Sequence, residues 1–234
     1  DEPNAAFLSY LIDMESRSGT ERFADSLSSK ERTNVMIFDF GAGTCDISIL
    51  QITTANNCLL SRNLGISKFY ALGGDDIDNL IAEEILLPQL CGAKSAAKYL
   101  FTTNQLETLV LPHLKSAAEA LKIACCERAE QRGWSTLEDL RRDDGKIVGK
   151  PTRVFTIQGK DWQISQPEIK IKDFSEIMAV FVGKNINKYR ENKIINILEP
   201  INNSLEKVEL KNDDIDMLLF IGGSCENPII RNYV

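Results

Sequence analysis

The sequence predicts an α/β protein, and three stretches carry that prediction. The apolar run Val35–Phe38 leads through a glycine turn into the alternating run Cys45–Ile52, which is typical of two strands joined by a tight loop. Apolar residues with helical spacing follow at 77–85 and 114–125 and predict helices. Residues 217–228 then predict an apolar strand, a glycine turn and a helix start.

Composition limits the classes of protein and site that the chain represents. Its 234 residues are 43% hydrophobic and 26% charged, which suits one globular domain or two packed subdomains. The formal net charge of −7 argues against general nucleic-acid binding but not against a nucleotide ligand. The six cysteines form no CxxC pair, and most of them lie in apolar runs, so we expect buried free thiols in a reducing compartment rather than a zinc site. His113 is the single histidine, which leaves no credible Ser-His-Asp or Cys-His arrangement.

The first third predicts a helix packed against a meander of strands. Pro3 and the acidic residues before it suit a helix start, and the apolar residues that follow predict a buried helix. Residues 15–34 are polar and predict a surface loop. After the hairpin, Thr53–Asn57 predicts a turn and Cys58–Leu64 predicts a third strand.

A second glycine and acid element, Leu72-Gly73-Gly74-Asp75-Asp76-Ile77-Asp78, opens the next helix. Asp75 is the expected N-cap, with Asp78 three residues on as an acidic helper. A capped helix start of this kind needs no ligand, and that alternative stays open. A later long helix carries Glu119 and Lys122 three residues apart, and a solvated intrahelical ion pair is the commoner use of that spacing.

The remaining chain predicts a loop, a hairpin and two helices. Residues 133–152 are polar and predict a loop, residues 153–165 a hairpin, and residues 173–189 a helix. Residues 194–208 predict a further helix, which Pro200 is expected to kink or split.

The turn between the first two strands carries the clearest chemistry. Asp39-Phe40-Gly41-Ala42-Gly43-Thr44 combines two glycines and a hydroxyl, with Asp39 and Asp46 on its flanks. Glycine lets amide N–H groups approach an anion, and carboxylates suit Mg²⁺. An ordinary glycine hairpin is the alternative. Gly222-Gly223-Ser224 before a helix is a second anion corner, although many α/β proteins use glycine there only to turn.

Five motifs, in this order, resemble those of the 70-kilodalton heat-shock chaperones of the DnaK type. Glu2-Pro3-Asn4-Ala5-Ala6 is similar to the family's EPTAA helix start, and DFGAGTCDISIL to its second phosphate motif. LGGDDIDN is similar to its LGGEDFDN element, LKSAAEALKIACC to the helix that reaches the nucleoside, and IGGSCENP to its adenosine motif. The resemblance is to the ATPase domain of these chaperones, within the actin and sugar-kinase superfamily.

The resemblance implies a ribonuclease-H-like α/β fold, in which an actin-type ATPase lobe carries an inserted α+β subdomain. Residues 1–72 and 184–234 are expected to form the core subdomain, and residues 73–183 the inserted nucleoside-side subdomain. This is the second lobe of the domain, so the first lobe and the peptide-binding domain are expected outside the chain. The start at Asp1, without a methionine, likewise predicts a piece of a longer protein.

The resemblance also implies ATP or ADP with Mg²⁺ as ligands. Asp39 is expected to order the Mg²⁺ shell, and Glu2 to act through water on the metal or on the attacking water. Together with Thr44 they are the catalytic candidates. The residues expected at the phosphates are Gly41, Ala42, Gly43 and Thr44, with Asp46 beside them.

Further residues are implied at the nucleoside. Glu119 and Lys122 are expected to grip the ribose, and Cys126 stands where a serine usually meets the adenine. Gly73-Gly74-Asp75 is expected near the phosphates and the hinge between subdomains, and Gly222-Gly223-Ser224 against the adenosine.

Three positions depart from the family pattern. Ala42 replaces a glycine, which costs ~1 kcal/mol of strain if that position needs a positive φ. Glu226 replaces the arginine that usually lies over the adenine, and Ile123 occupies the other common arginine position. Because glutamate offers no cationic face, Glu226 predicts a weakened adenine pocket.

The resemblance therefore implies a cytoplasmic stress-response chaperone that binds and hydrolyses ATP to control polypeptide binding. The alternative is a hydrolysis-deficient nucleotide switch or scaffold of the same fold, which Ala42 and Glu226 favour slightly. Intact Glu2, Asp39, Thr44 and Asp46 favour the chaperone more. Expected partners are ATP or ADP, a co-chaperone or nucleotide-exchange factor, and polypeptide clients through the missing domain, but neither nucleic acid nor a membrane. The isolated piece is expected to lack useful ATPase activity.

Overall fold

The computed structural model describes residues 2–18, 32–55, 58–66, 70–183 and 196–234. The strands are β1 (Thr33–Phe40), β2 (Cys45–Ala55), β3 (Cys58–Ile66), β4 (Lys146–Val148), β5 (Phe155–Ile157), β6 (Lys160–Trp162), β7 (Glu168–Lys170) and β8 (Met217–Ile221). The α-helices are α1 (Glu2–Ser18), α2 (Gly74–Ile81), α3 (Leu87–Cys91), α4 (Lys94–Leu100), α5 (Thr103–Gln105), α6 (Leu111–Arg132), α7 (Leu137–Arg141), α8 (Ile171–Val182), α9 (Leu198–Lys207) and α10 (Pro228–Tyr233). The predicted α/β class is confirmed.

The chain divides into two compact units. Unit 1 comprises residues 1–71 and 197–225, and unit 2 comprises residues 72–196 and 226–234. Among the helices of the described ranges, none is both long and apolar enough to cross a membrane.

Unit 1 is organised around a four-stranded mixed sheet in the order β3-β2-β1-β8. β2 pairs antiparallel with both β1 and β3, and β1 pairs parallel with β8. β1 is apolar on both faces because it lies inside the sheet, which explains its continuous apolar run. The core on the α1 side consists of Phe7, Val35, Ile37, Leu50, Ile52 and Leu219.

The first helix differs from its prediction in two ways. α1 continues to Ser18, so the polar stretch predicted as a loop begins as helix; residues 19–31 lie outside the described residues. Its burial is one-sided, because Phe7 is buried whereas Leu8 and Ile12 are 56% and 58% exposed. One face of α1 packs on the sheet, and the prediction of a buried helix is wrong for the other face.

The hairpin strands are longer than predicted. β2 continues to Ala55, into the stretch predicted as a turn, and β3 runs from Cys58 to Ile66. The extension follows from pairing, since Thr53, Thr54 and Ala55 are opposite residues of β3 and gain ladder hydrogen bonds.

Unit 2 is built around α6, which contacts α2 and α8. Its buried stripe has the predicted spacing and consists of Leu114, Ala118, Leu121, Cys125 and Ala129. Two small antiparallel sheets, β4-β7 and β5-β6, complete the unit, and the second is the predicted hairpin.

The loop predicted at 133–152 contains α7 and β4, so that prediction is wrong. Thr136 caps α7, with its hydroxyl accepting from the Asp139 N–H at 3.2 Å while Asp139 accepts from the Thr136 N–H at 3.1 Å. This capping box is a local signal that outweighs the polar composition of the stretch.

The later helices also correct the predicted boundaries. α8 ends at Val182, and the rest of the helix predicted to residue 189 lies, beyond Gly183, outside the described residues. Pro200 neither kinks nor splits α9, because it lies in the first turn, where no intrahelical N–H bond is lost. The predicted strand, glycine turn and helix start at residues 217–228 are confirmed.

Candidate functional site

The turn between β1 and β2 is short and closed by one backbone hydrogen bond. The Gly41 N–H donates to the Thr44 carbonyl oxygen at 3.0 Å, which leaves Ala42 and Gly43 exposed at the tip. Ala42 does not adopt a positive φ, so the strain considered for an alanine here does not arise.

The two glycines of this turn are not required by the fold itself. Neither Gly41 nor Gly43 has a positive φ. A Cβ atom on Gly43 would meet nothing within 4 Å, and one on Gly41 would make only ordinary contacts at 3.8 Å. Small residues beside open space permit the close approach of a ligand to backbone N–H groups.

The second glycine turn lies against the first, although the two are far apart in the sequence. Ser224 Oγ donates to the Gly41 carbonyl oxygen at 2.9 Å, across 183 positions of the chain. The parallel pairing of β1 with β8 brings them together, because it sets Asp39 opposite Ile221, the last residue of β8. Two stretches that the sequence singled out separately therefore form one corner in unit 1.

Gly222 is the glycine that this corner requires. Its φ is +88°, a backbone conformation that L side chains rarely adopt. A Cβ atom there would lie 2.5 Å from the Phe40 carbonyl oxygen and 3.0 Å from Asp39 Oδ1. Only glycine lets this backbone pass so close to the end of β1.

Asp39 and Asp46 lie opposite each other in the hairpin, close to its turn. They are directly opposite in the antiparallel β1-β2 ladder, so both side chains project from the same face, and both are partly buried. Like charges in that position repel, and a cation relieves the repulsion. Within the described residues, no three His, Cys, Asp or Glu side chains group closely enough to hold a metal. One or two carboxylates suit Mg²⁺, which keeps several waters and takes its other ligands from phosphate.

In unit 2, the N-cap of α2 lies two residues earlier than predicted. Gly73 is the N-cap, and its N–H donates to Asp76 Oδ2 at 3.0 Å. Asp75 lies in the first turn instead, where its Oδ2 accepts from Lys115 Nζ at 2.6 Å. The Asp76 N–H donates in turn to the Gly73 carbonyl oxygen at 3.0 Å, so the predicted N-cap at Asp75 is wrong.

Asp78, predicted as an acidic helper at the helix start, is buried against α6. Lys122 Nζ donates to Asp78 Oδ2 at 2.9 Å and to the Gly74 carbonyl oxygen at 3.2 Å. The side chains of Lys122 and Asp78 are 14% and 2% exposed. The sequence suggested an ion pair between Lys122 and Glu119 on the same helix. Lys122 instead pairs with Asp78 on α2, and Glu119 is exposed.

Burial dominates the protonation chemistry around Lys122. It raises the pKa of Asp78 to about 6, although the hydrogen bond and charge of Lys122 act in the opposite direction. Burial also raises the pKa of the Cys126 thiol to about 12, so this thiol is neutral at pH 7. A neutral thiol offers a polarisable packing surface and a weak donor rather than a nucleophile.

The other predicted site residues are distributed over the two units. Unit 1 contains Asp39, Gly41, Ala42, Gly43, Thr44, Asp46, Gly222, Gly223 and Ser224. Unit 2 contains Gly73, Gly74, Asp75, Glu119, Lys122, Cys126 and Glu226. Glu226 and Glu119 are exposed. Glu2 is the first residue of α1, and its side chain lies outside the part of the structure that is described.

Comparison with known proteins gives a consistent assignment. A sequence model of the family described as Hsp70 protein matches residues 1–153. The chaperone protein DnaK of Mycoplasmopsis pulmonis (strain UAB CTIP) is 24% identical over 235 residues, covering 100% of this chain and 30% of the relative. The chaperone proteins DnaK of Ureaplasma urealyticum serovar 10 and Thermoplasma volcanium are 26% and 25% identical to this chain, with the same coverage. The chain spans about 30% of the length of these curated relatives.

Proposed function

Since this chain belongs to the Hsp70 protein family, we propose that it is the second lobe of a chaperone ATPase domain. In this proposal residues 1–72 and 184–234 form a ribonuclease-H-like core subdomain, and residues 73–183 form the inserted nucleoside-side subdomain. The sheet of unit 1 supports the core assignment, because an antiparallel meander continues there into a parallel strand.

Unit 1 is proposed to contact the phosphates of ATP or ADP. The observation that carries this proposal is the corner where two distant glycine turns meet, with Ser224 Oγ bonded to the Gly41 carbonyl oxygen beside Asp39. The exposed, unobstructed tip at Ala42 and Gly43 supports it, since the fold gains nothing from glycine there.

The chain's own groups have distinct roles in this proposal. Backbone N–H groups of residues 42–44 orient the phosphates, since the Gly41 N–H closes the turn, and the Thr44 hydroxyl bonds a phosphate oxygen. Asp39 holds Mg²⁺ directly or through water, with Asp46 beside it, and Glu2 orders water near the reacting phosphate. Mg²⁺, when bound, supplies neutralisation of phosphate charge. Hydrolysis in such a site depends on positioning and electrostatic stabilisation rather than on a covalent protein group.

Residues of unit 2 are proposed to contact the nucleoside. Glu119 and Lys122 bind the ribose, Cys126 packs at the adenine, and Gly73-Gly74-Asp75 lies near the phosphates. The neutral thiol of Cys126 supports a packing role. Glu226 is exposed and anionic, so the cation that usually covers the adenine is replaced by a carboxylate and the base is held less tightly.

For the whole protein, we propose a cytoplasmic chaperone in which ATP hydrolysis controls polypeptide binding, assisted by a co-chaperone or nucleotide-exchange factor. These activities need more of the family's domains than this chain, which spans about 30% of its relatives, so the isolated chain is expected to show no useful ATPase activity. Glu226 favours one alternative, a switch or scaffold that binds nucleotide without hydrolysing it.

The proposal predicts slow ATP hydrolysis that depends on Thr44. In a single-turnover assay with the complete natural polypeptide, Thr44→Ala is expected to lower the rate about tenfold, since a hydrogen bond to charged phosphate is lost. Thr103→Ala, at an exposed threonine of unit 2, is the matched control and leaves the rate unchanged.

The outcomes of this assay separate the candidate functions. Hydrolysis that falls in Thr44→Ala alone supports the chaperone ATPase. ATP binding without turnover in the wild type supports the switch or scaffold. Neither binding nor turnover contradicts both.

A further inference from the structure

The contact between α2 and α6 contains an ion pair that is largely removed from solvent. Asp78 and Lys122 are paired at 2.9 Å; the Asp78 side chain is buried and the Lys122 side chain is largely buried. Burying two charges costs more than an average pair returns, so such pairs are weak evidence for a purely stabilising role. Asp78 Oδ1 adds to this cost, because it is buried and, within the described residues, has no hydrogen-bond partner.

The hydrogen bonds that the Lys122 ammonium group already makes determine how many of its N–H donors remain for a ligand. A lysine ammonium has three N–H donors and no acceptor. One N–H is directed to Asp78 Oδ2 and a second to the Gly74 carbonyl oxygen. Two anchors fix the position of Nζ and leave one donor for a ligand. Without the anchors, a side chain with four rotatable bonds loses more conformational entropy on binding.

We propose that Asp78 is a positioning residue for nucleoside binding, which, together with the Gly74 carbonyl group, holds the Lys122 ammonium so that its third N–H is available to a ribose hydroxyl. This inference rests on the proposed function of Lys122. Asp78 itself touches no ligand, and its effect on binding passes through Lys122.

The other charged groups around Asp78 do not replace Lys122. On α6, Glu119 and the neutral Cys126 thiol contribute no cation, and Lys115 is paired with Asp75 on α2. In the π-helical segment Ala82–Leu86, which follows α2, Glu84 is paired with Lys94. On α8, Asp173 and Glu176 line a separate groove with Leu80 and Glu84, and Lys172 is exposed.

The protonation behaviour of Asp78 gives the inference a signature. Because burial raises its pKa to about 6, Asp78 is mostly ionised at pH 7.5 and mostly protonated at pH 5.0. Protonation removes the charge that holds Lys122, so nucleoside affinity falls as the pH drops through 6. The effect on folding has the opposite sign: a carboxyl group with a raised folded pKa favours folding most at low pH and loses that contribution as the pH rises. Weaker binding at pH 5.0 is therefore not a consequence of Asp78 destabilising the fold.

Titration calorimetry of the complete natural polypeptide with adenosine tests the inference. Adenosine carries no phosphate, whose own titration near pH 6 would obscure the profile. Wild-type affinity is expected to fall about tenfold from pH 7.5 to 5.0, in proportion to the ionised fraction of Asp78. Asp78→Asn keeps an acceptor of the same shape but no charge, and is expected to bind about tenfold more weakly at pH 7.5, with a flat pH profile.

Three further variants and one failure mode complete the design. Asp144→Asn, at an exposed carboxylate of unit 2, is expected to behave as wild type. Lys122→Gln is expected to give a flat pH profile. The double variant with Asp78→Asn is expected to bind adenosine no more weakly than Lys122→Gln, because Asp78 acts only through Lys122. If Asp78→Asn does not fold, the profiles of the wild type and Lys122→Gln decide the question.

Two results overturn the inference, and they are distinguishable. Wild-type binding with a flat profile, or Asp78→Asn binding like wild type at pH 7.5, contradicts the positioning role and leaves the proposed nucleotide function intact. Binding of neither adenosine nor ADP by the wild type at pH 7.5 contradicts the nucleotide function, and this inference with it.

Discussion

Asp39→Asn is expected to slow single-turnover ATP hydrolysis by the complete natural polypeptide about 100-fold, because the carboxylate proposed to order Mg²⁺ loses its charge. Asp39 is the penultimate residue of β1, at the end of the strand where both glycine turns meet, and Asp46 lies directly opposite on the same face. Asparagine preserves the shape of the side chain. The loss is therefore expected in the rate and in the Mg²⁺ dependence, with little change in the unfolding midpoint.

Asp213→Asn is the matched control for this prediction. Asp213 is an exposed carboxylate of unit 1, in the short helical turn Asn212–Asp214. Its replacement is expected to leave the rate within twofold of wild type. Equal rates in wild type and Asp39→Asn, at saturating Mg²⁺ and at limiting Mg²⁺, contradict a metal-ordering role for Asp39.

Gly222→Ala is expected to have the largest effect on stability, lowering the free energy of unfolding by about 2–5 kcal/mol. Alanine is strained at a φ of +88°, and its Cβ would lie 2.5 Å from the Phe40 carbonyl oxygen and 2.8 Å from its carbonyl carbon. Both atoms belong to backbone at the end of β1, which has no flexible side chain to move aside. Urea unfolding followed by circular dichroism measures the change.

The neighbouring glycine supplies the control. Gly223 has no positive φ, and a Cβ atom there would meet nothing within 4 Å. Gly223→Ala is therefore expected to change the free energy of unfolding by no more than about 0.5 kcal/mol. A Gly222→Ala midpoint equal to that of Gly223→Ala would show that the close backbone approach does not contribute to stability.

The sequence predicts well those features that local pattern determines. The apolar run of β1, the alternation in β2 and the glycine turn between them are local properties, and the hairpin is present in the structure. The stripe of α6 is likewise set by helical spacing and is buried as predicted. The glycine turn after β8 is predicted from its local pattern, but only the parallel β1-β8 pairing brings it against Asp39.

The features that the sequence does not predict depend on contacts between distant segments. Asp78 and Lys122 are 44 positions apart, so the pattern around each suggests a helper at a helix start and an intrahelical partner. Packing of α2 against α6 buries both and pairs them instead. One signal was available: Asp78 follows Ile77 and precedes Leu80 and Ile81, on the side of α2 that faces the core.

Predictions from the average composition of a stretch also fail where one or two residues determine the local structure. The polar stretch at 133–152 contains α7 because Thr136 and Asp139 satisfy each other's backbone N–H groups. Pro200 lies inside an apolar helical pattern, yet its position in the first turn of α9 makes it harmless. In both cases the position of one or two residues within the helix decides the outcome.

Equilibrium binding of ATP with Mg²⁺ to the complete natural polypeptide, compared with Gly43→Ala, tests the central claim most directly. Gly43 is exposed at the tip of the turn, and a Cβ atom there meets no protein atom within 4 Å, so the variant is expected to fold with unchanged stability. The account predicts wild-type binding and a loss of about tenfold or more in the variant, because the added methyl group occupies the space proposed for phosphate. Equal affinity of the two proteins, or no binding by either, would contradict it.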